Sequence, residues 1–275
     1  MPPDDNLIEG FWPNAASGYR AVIDACAAQP ACHAAYPNLR GDLTTAITKL
    51  DQQHLSVDVP DPATGRSVRA VFDGYQAANL LVLLSLHPGS FAGMPAMVHE
   101  LATGGGAQAG AALLATVPPP GITGYGLTYG VFCREQAPFT TPPRTLALAK
   151  QALPDFPESV LALTPQIPRV FDECAVWDVG RADPSVAAQT RSDVPVLLLA
   201  GTFDAITPPS WAEVAARGLS NGRVVRVPGA GHDVTLWSEC GQLVMLNFLD
   251  DPAGSYDTSC LDTLTAPPFT TGSGA

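Results

Sequence analysis

The first two thirds of the chain carry apolar residues mostly at helical spacing. Residues 15–49 repeat in this way, which predicts two helices joined by a turn between Cys26 and Cys32. Residues 55–59 and 67–72 alternate or are β-branched on either side of the turn sequence Asp61-Pro-Ala-Thr-Gly65, so they predict a hairpin. This part of the chain is therefore expected to be helical with one hairpin.

Further helices are predicted after the hairpin, at residues 80–86 and 94–101. Residues 104–106 and 118–121 are rich in glycine and proline and are expected to form loops. Thr141 precedes two prolines, which suits the start of a helix that continues to about residue 153.

The pattern changes at about residue 191. Residues 194–200 form a short continuous apolar run, which predicts a strand buried on both faces of a parallel sheet. Thr207 is expected to cap a helix reaching about residue 217, residues 224–227 form a second strand, and residues 236–249 form a last helix. This β-α-β-α order predicts an α/β segment with parallel strands.

Composition excludes several partners. The net charge of −12, without a stripe of Lys and Arg, disfavours nucleic acid, and no apolar run approaches the ~20 residues of a membrane-spanning helix. The six cysteines include no CxxC pair and no neighbouring histidine cluster, so neither a metal nor a cofactor is expected.

An even number of cysteines instead favours disulfides formed in an oxidising compartment. Several pairings are possible, and we favour 26 with 32, 133 with 174, and 240 with 260. The N-terminal sequence MPPDDNLIEG has neither the basic stretch nor the apolar core of a secretory signal. We therefore expect either that a signal has been removed or that the chain is a fragment.

Asp204 and His232 are the candidate catalytic residues. Each lies on the loop that follows a predicted strand, where open α/β sheets build their sites, and neighbouring strands are ~4.8 Å apart. The two side chains are therefore expected within hydrogen-bonding reach. Their order along the chain is that of the acid and base in α/β-hydrolases.

No credible serine nucleophile accompanies them. The motif around Ser220, Gly218-Leu-Ser-Asn-Gly222, lies between a helix and the following strand, whereas a nucleophile elbow runs from strand to helix. Ser90 and Thr128 also lie between glycines, but no buried strand precedes either of them.

The sequence resembles secreted tripeptidyl-aminopeptidase-like α/β-hydrolases of actinobacteria, which are relatives of the proline iminopeptidases. The resemblance is most specific at residues 194–201 with Asp204 and Thr207-Pro-Pro209, at Val227-Pro-Gly-Ala-Gly-His232, and at Asp257-Thr-Ser-Cys260. It implies a partial α/β-hydrolase fold: a core remnant at 1–15, a large, mainly helical cap at 16–190, and a C-terminal segment at 191–275.

The resemblance also implies a function. Asp204 and His232 would be the acid and base of a serine peptidase of the aminopeptidase type, with Glu135 or Glu173 holding the free amine of a peptide or ester substrate. The family carries its serine on strands before the cap, so the missing N-terminal half of the hydrolase domain is the expected partner and the isolated chain is expected to be inactive. Because the family is secreted, the resemblance also implies a secreted or cell-envelope location. A non-catalytic binding module, and an esterase or epoxide-hydrolase-type enzyme of the same fold, remain the alternatives.

Overall fold

The computed structural model describes residues 5–61, 64–87, 89–116 and 124–272. The predicted loop at 118–121 and part of the predicted turn at 61–65 lie outside these residues. Ten α-helices and a hairpin precede residue 190 in the described residues: α1 (Leu7–Ala28), α2 (Pro30–Ala35), α3 (Leu39–Gln52), β1 (Leu55–Pro60), β2 (Ser67–Phe72), α4 (Gly74–Leu84), α5 (Met94–Thr103), α6 (Ala107–Ala115), α7 (Tyr125–Val131), α8 (Pro142–Ala152), α9 (Glu158–Leu161) and α10 (Val170–Val176).

The first helix begins earlier than its apolar pattern suggests. The side chain of Asn6 accepts hydrogen bonds from the backbone N–H groups of Ile8 and Glu9, which caps α1 at its start. As a result α1 continues through the proposed domain boundary at residue 15. The expected turn between Cys26 and Cys32 contains the start of a short additional helix, α2.

The hairpin forms as predicted, with antiparallel pairing from Leu55 opposite Phe72 to Pro60 opposite Ser67. The helix predicted after Thr141 also forms as α8, although the Thr141 side chain makes no capping hydrogen bond.

The C-terminal part is the expected α/β segment, with the elements β3 (Val196–Gly201), α11 (Pro209–Ala216), β4 (Gly222–Val227), α12 (Val234–Trp237) and α13 (Glu239–Asp250). Strands β3 and β4 pair in parallel, from Val196 opposite Gly222 to Gly201 opposite Val227. The predicted last helix is divided in two, because Ser238 is extended and its side chain accepts the N–H of Gly241 to start α13.

The expectation that β3 is buried on both faces is wrong for this chain. Val194 is 60% exposed, and the four apolar residues Val196–Leu199 are only partly buried. Among the described residues β3 pairs with β4 alone, and although α11, α12 and α13 contact the strand, these side chains keep part of their surface exposed.

The helical part and the α/β segment share one apolar core. The largest cluster of buried side chains includes Phe72 and Leu80 from the helical part and Phe203 and Phe269 from the C-terminal part. Phe91 is at the junction, with its ring 5.0 Å from that of Phe203 and 4.8 Å from that of Trp237. This packing fixes the loops after β3 and β4 against the helical part.

Candidate active site

The carboxylate of Asp204 is buried and fully engaged just beyond β3. Its side chain is 5% exposed. Oδ1 accepts the backbone N–H groups of Ile206 at 2.8 Å and Thr207 at 2.9 Å, while Oδ2 accepts the Thr207 hydroxyl at 2.7 Å. These three bonds hold the carboxylate in one orientation.

The imidazole of His232 meets this carboxylate from the loop after β4. Nδ1 lies 3.0 Å from Asp204 Oδ2 and 3.1 Å from Thr207 Oγ1, so the expected contact between acid and base is present. A carboxylate only accepts hydrogen bonds, which assigns the proton to Nδ1. Nε2 then carries the lone pair that a general base needs.

The two groups shift each other's ionisation. Burial alone would raise the pKa of Asp204, but hydrogen bonding and attraction to His232, with the hydrogen bonds from Thr207, hold that pKa below its ordinary value. The hydrogen bond to Asp204 raises the pKa of His232 above its ordinary value against the opposing effect of partial burial. Both shifts favour the charged forms of the pair.

The helical part holds the histidine loop through the backbone. Ser85, fully buried at the end of α4, accepts the N–H of His232 through its carbonyl at 2.8 Å, and Trp237 Nε1 donates to the His232 carbonyl at 2.6 Å. A Cβ at Gly231 would collide with that Ser85 carbonyl, so the close approach requires glycine here.

The acid loop is held in a similar way by α1. The buried amide of Asn14 donates to the Ile206 carbonyl at 2.7 Å, and Gly18 lies directly against Ala205. Both loops are therefore positioned by helices that are distant from them in sequence.

His232 Nε2 has no hydrogen-bond partner within the part of the chain that the structure describes. Ser220 precedes β4 whereas His232 follows it, which separates them by about 20 Å along the strand. Ser90 donates to the Leu84 and His87 carbonyls, and Thr128 is bonded to its own helix at Gly124. None of these hydroxyls is hydrogen-bonded to His232.

Glu135 and Glu173 lie on segments joined by a disulfide. Glu135 is in a π-helical turn, Phe132–Gln136, and Glu173 is on α10. The Cys133–Cys174 bond ties these segments together. In the described residues no hydrogen bond or ion pair links either glutamate to Asp204 or His232.

Glu173 has an unusual environment for a partly exposed carboxylate. Its Oε2 atom is buried and has no hydrogen-bond partner among the described residues. Tyr129 lies nearby, and desolvation together with the charge of Glu173 raises the pKa of its hydroxyl. The Tyr129 ring lies 6.0 Å from that of Trp177.

A cavity of about 680 Å³ lies behind the histidine loop. Its walls include Pro228, Ala230, Trp237 and the Cys240–Cys260 disulfide, but neither Asp204 nor His232. This cavity is therefore not a candidate substrate pocket for the Asp204–His232 pair.

The described residues contain no group of three His, Cys, Asp or Glu side chains that could hold a metal ion. In the same ranges, no helix combines the length and apolar character needed to cross a bilayer. All six cysteines form disulfides, in the pairing favoured from the sequence: 26 with 32, 133 with 174, and 240 with 260.

Sequence reasoning missed three residues of this site. Thr207 was expected to cap α11, but Pro208 occupies the N-cap position and the Thr207 hydroxyl instead contacts Asp204 and His232. The three-residue spacing after Asp204 was the available signal, because aspartate often binds its own backbone there. Ser85 and Trp237 carried no such signal.

Comparison with known proteins agrees with the arrangement of the C-terminal part. Residues 162–260 match an α/β-hydrolase family model described as TAP-like protein, and this segment contains Glu173, Asp204 and His232. The match supports a hydrolase of the α/β class for this part of the chain. A search of curated proteins and a search of solved structures each found no match.

Proposed function

We propose that Asp204 and His232 are the acid and base of a serine hydrolase of the aminopeptidase-like type, acting on a peptide or ester. The observation that carries the proposal is the 3.0 Å contact between Asp204 Oδ2 and His232 Nδ1, with Nε2 unpartnered in the described residues. Both residues follow neighbouring parallel strands. The family match includes both.

In this mechanism Nε2 of His232 takes the proton of a serine hydroxyl as its oxygen attacks the substrate carbonyl. The resulting imidazolium gives that proton to the leaving amine or alcohol when the acyl bond breaks. Water then enters and loses a proton to Nε2 as its oxygen attacks the acyl carbonyl, and the imidazolium returns that proton to the serine oxygen as the acid is released. Asp204 keeps the Nδ1–H tautomer and stabilises the imidazolium without itself being protonated.

We propose that the serine is contributed by another part of the hydrolase core, which pairs with the free edge of β3. The partly exposed apolar residues Val196–Leu199 support this arrangement, because added strands and helices would bury them. Leu243, Leu246 and Leu249 on α13 are also at least half exposed. An N-terminal half of the hydrolase domain is the partner that these surfaces fit.

Glu173 is the proposed anchor for a substrate's free amine, and Glu135, on the disulfide-linked segment, is a second candidate. A buried carboxylate oxygen without a donor is costly, and an ammonium group would supply that donor. The ring of Tyr129, a neighbour of Glu173, lies 6.0 Å from that of Trp177, and aromatic rings also attract cations.

We further propose a secreted or cell-envelope location. The three disulfides support it, since such bonds form and persist mainly in oxidising compartments.

The test of the hydrolase proposal is labelling with a fluorophosphonate, which reacts with activated serines. The protein encoded by the longest open reading frame that contains this chain is expected to label on one serine, and His232→Ala is expected to abolish the label. His99→Ala is the matched control, because His99 is also paired with a carboxylate, Asp42 at 2.8 Å, outside the sheet. Absence of any His232-dependent label would refute the proposal. A His232-dependent label on a serine within these 275 residues would support the hydrolase proposal. It would refute the proposal that the serine is contributed by another part of the hydrolase core.

The amine proposal is tested by comparing a peptide substrate having a free N-terminus with its N-acetylated form. Glu173→Gln should raise KM about tenfold for the free amine only, as expected for loss of a charge-assisted contact. Glu158→Gln is the control, since Glu158 forms an exposed ion pair with Lys150. Equal effects on the two substrates would contradict an amine site at Glu173.

A further inference from the structure

We propose that Thr207 is a positioning residue that fixes the tautomer and the orientation of the His232 ring; its catalytic meaning rests on the proposed function. Thr207 Oγ1 lies between the members of the pair, 2.7 Å from Asp204 Oδ2 and 3.1 Å from His232 Nδ1.

The direction of each hydrogen bond follows from the atoms present. The carboxylate of Asp204 accepts only, so the single hydroxyl proton of Thr207 is donated to Oδ2. The remaining lone pairs of Oγ1 are then available to Nδ1, and Oδ2 is a second acceptor at 3.0 Å. Nδ1–H therefore faces two acceptors, and the ring is held with Nε2 unprotonated.

The backbone keeps the hydroxyl in this position. Thr207 N–H donates to Asp204 Oδ1, and Pro208 follows, which restricts Thr207 to extended conformations. The branched Cβ of threonine further restricts rotation about χ1. The Thr207 hydroxyl is consequently held against Asp204 and His232 before any substrate binds.

Removing the hydroxyl should release the ring. Nδ1–H would retain one acceptor, and Asp204 Oδ2 would lose the donor that helps to fix its rotation. The ring can then turn more freely, and in the molecules where it turns away from Oδ2 it loses the acceptor that assigns the proton to Nδ1. Those molecules can carry the proton on Nε2 and lose the base.

The test is the tautomer of His232 in this chain, measured by nitrogen NMR of ¹⁵N-histidine-labelled protein at a pH where the ring is neutral. Wild type and Thr207→Ser should show one tautomer, with protonated Nδ1 and a large difference between the two nitrogen shifts. Thr207→Val should show a smaller difference as the Nε2–H form appears. If Thr207→Val does not fold, Thr207→Ala, which also lacks the hydroxyl, is measured in its place.

Thr202→Val is the matched control. Thr202 is a partly buried threonine of the same loop whose hydroxyl accepts the N–H of Gly229 at 2.9 Å, with no hydrogen bond to Asp204 or His232 in the described residues. It should keep the wild-type tautomer. A folded hydroxyl-free variant with the wild-type tautomer would overturn the proposal, and so would an equal change in Thr202→Val.

This readout needs no turnover, so it separates the two proposals. A tautomer change in Thr207→Val supports positioning even where fluorophosphonate labelling fails. In a protein that does hydrolyse substrate, Thr207→Val should lower kcat about tenfold with little change in KM, and Thr207→Ser should restore kcat. A loss confined to KM would overturn the positioning role.

Discussion

Replacement of Asp204 by asparagine should reverse the tautomer of His232. The asparagine oxygen can still accept the N–H groups of Ile206 and Thr207, but its amide nitrogen would face Thr207 Oγ1 and His232 Nδ1. Because that nitrogen donates, Nδ1 must accept and the ring proton moves to Nε2. Without the carboxylate, partial burial dominates and the pKa of His232 should fall below its ordinary value.

The cost in stability follows from the bonds that change. Asp204 is 5% exposed, and hydrogen bonds to a buried charge contribute about 2 kcal/mol each. Two such bonds to Oδ2 are replaced by weaker neutral ones, so the free energy of unfolding should fall by about 2 kcal/mol, or roughly 5 °C in Tm. Asp204→Ala should cost about 4 kcal/mol, because two backbone donors also lose their acceptor.

The loss should depend on pH, and the sign follows from the two pKa shifts. The lowered pKa of Asp204 gives a contribution that is present above the ordinary carboxyl pKa and is lost as pH falls through the lowered value. The raised pKa of His232 gives a contribution that is complete below the ordinary imidazole pKa and is lost as pH rises through the raised value. The difference between wild type and Asp204→Asn should therefore be greatest near about pH 5.

Urea unfolding from about pH 3 to 9, with NMR titration of His232, measures both effects. A stability difference that is the same at every pH, or a His232 pKa unchanged by Asp204→Asn, would refute the coupling between these residues.

Three further predictions concern the surroundings of the site. Gly231→Ala should lower the free energy of unfolding by about 2 kcal/mol by forcing the histidine loop away from α4, whereas Gly126→Ala, in the open on α7, should be neutral or stabilising in the same unfolding assay. Leu246→Asn should leave Tm nearly unchanged because Leu246 is 53% exposed, whereas Val244→Ala at a fully buried position should cost about 2 kcal/mol in the same assay. Serine at both positions of the Cys133–Cys174 pair should cost about 3 kcal/mol, measured by thermal unfolding without reductant.

The sequence by itself determined the local elements and the region of the site. A continuous apolar run predicts β3, and the following glycine, phenylalanine and aspartate predict a loop that carries Asp204. The same pattern at β4 leads to His232, and the intervening helix makes the strands parallel. These features depend on residues that are close together in the sequence, so the sequence pattern was sufficient to predict them.

The sequence was a poorer guide where distant parts of the chain meet. The start of α1 depends on the Asn6 side chain, and the last helix is interrupted at Ser238, because single capping bonds override the apolar period. The partial exposure of β3 depends on what covers the strand, which its own residues do not specify.

Only the tertiary structure decided how the pair is held. Thr207 looked like a helix cap because it precedes prolines, and its contact with His232 arises only when the loops after β3 and β4 come together. The bond from His232 to the Ser85 carbonyl joins α4 to the last strand's loop, and its donor and acceptor are backbone atoms that every residue type possesses. No residue pattern marks such a contact, so the fold alone determines which helix supports the histidine.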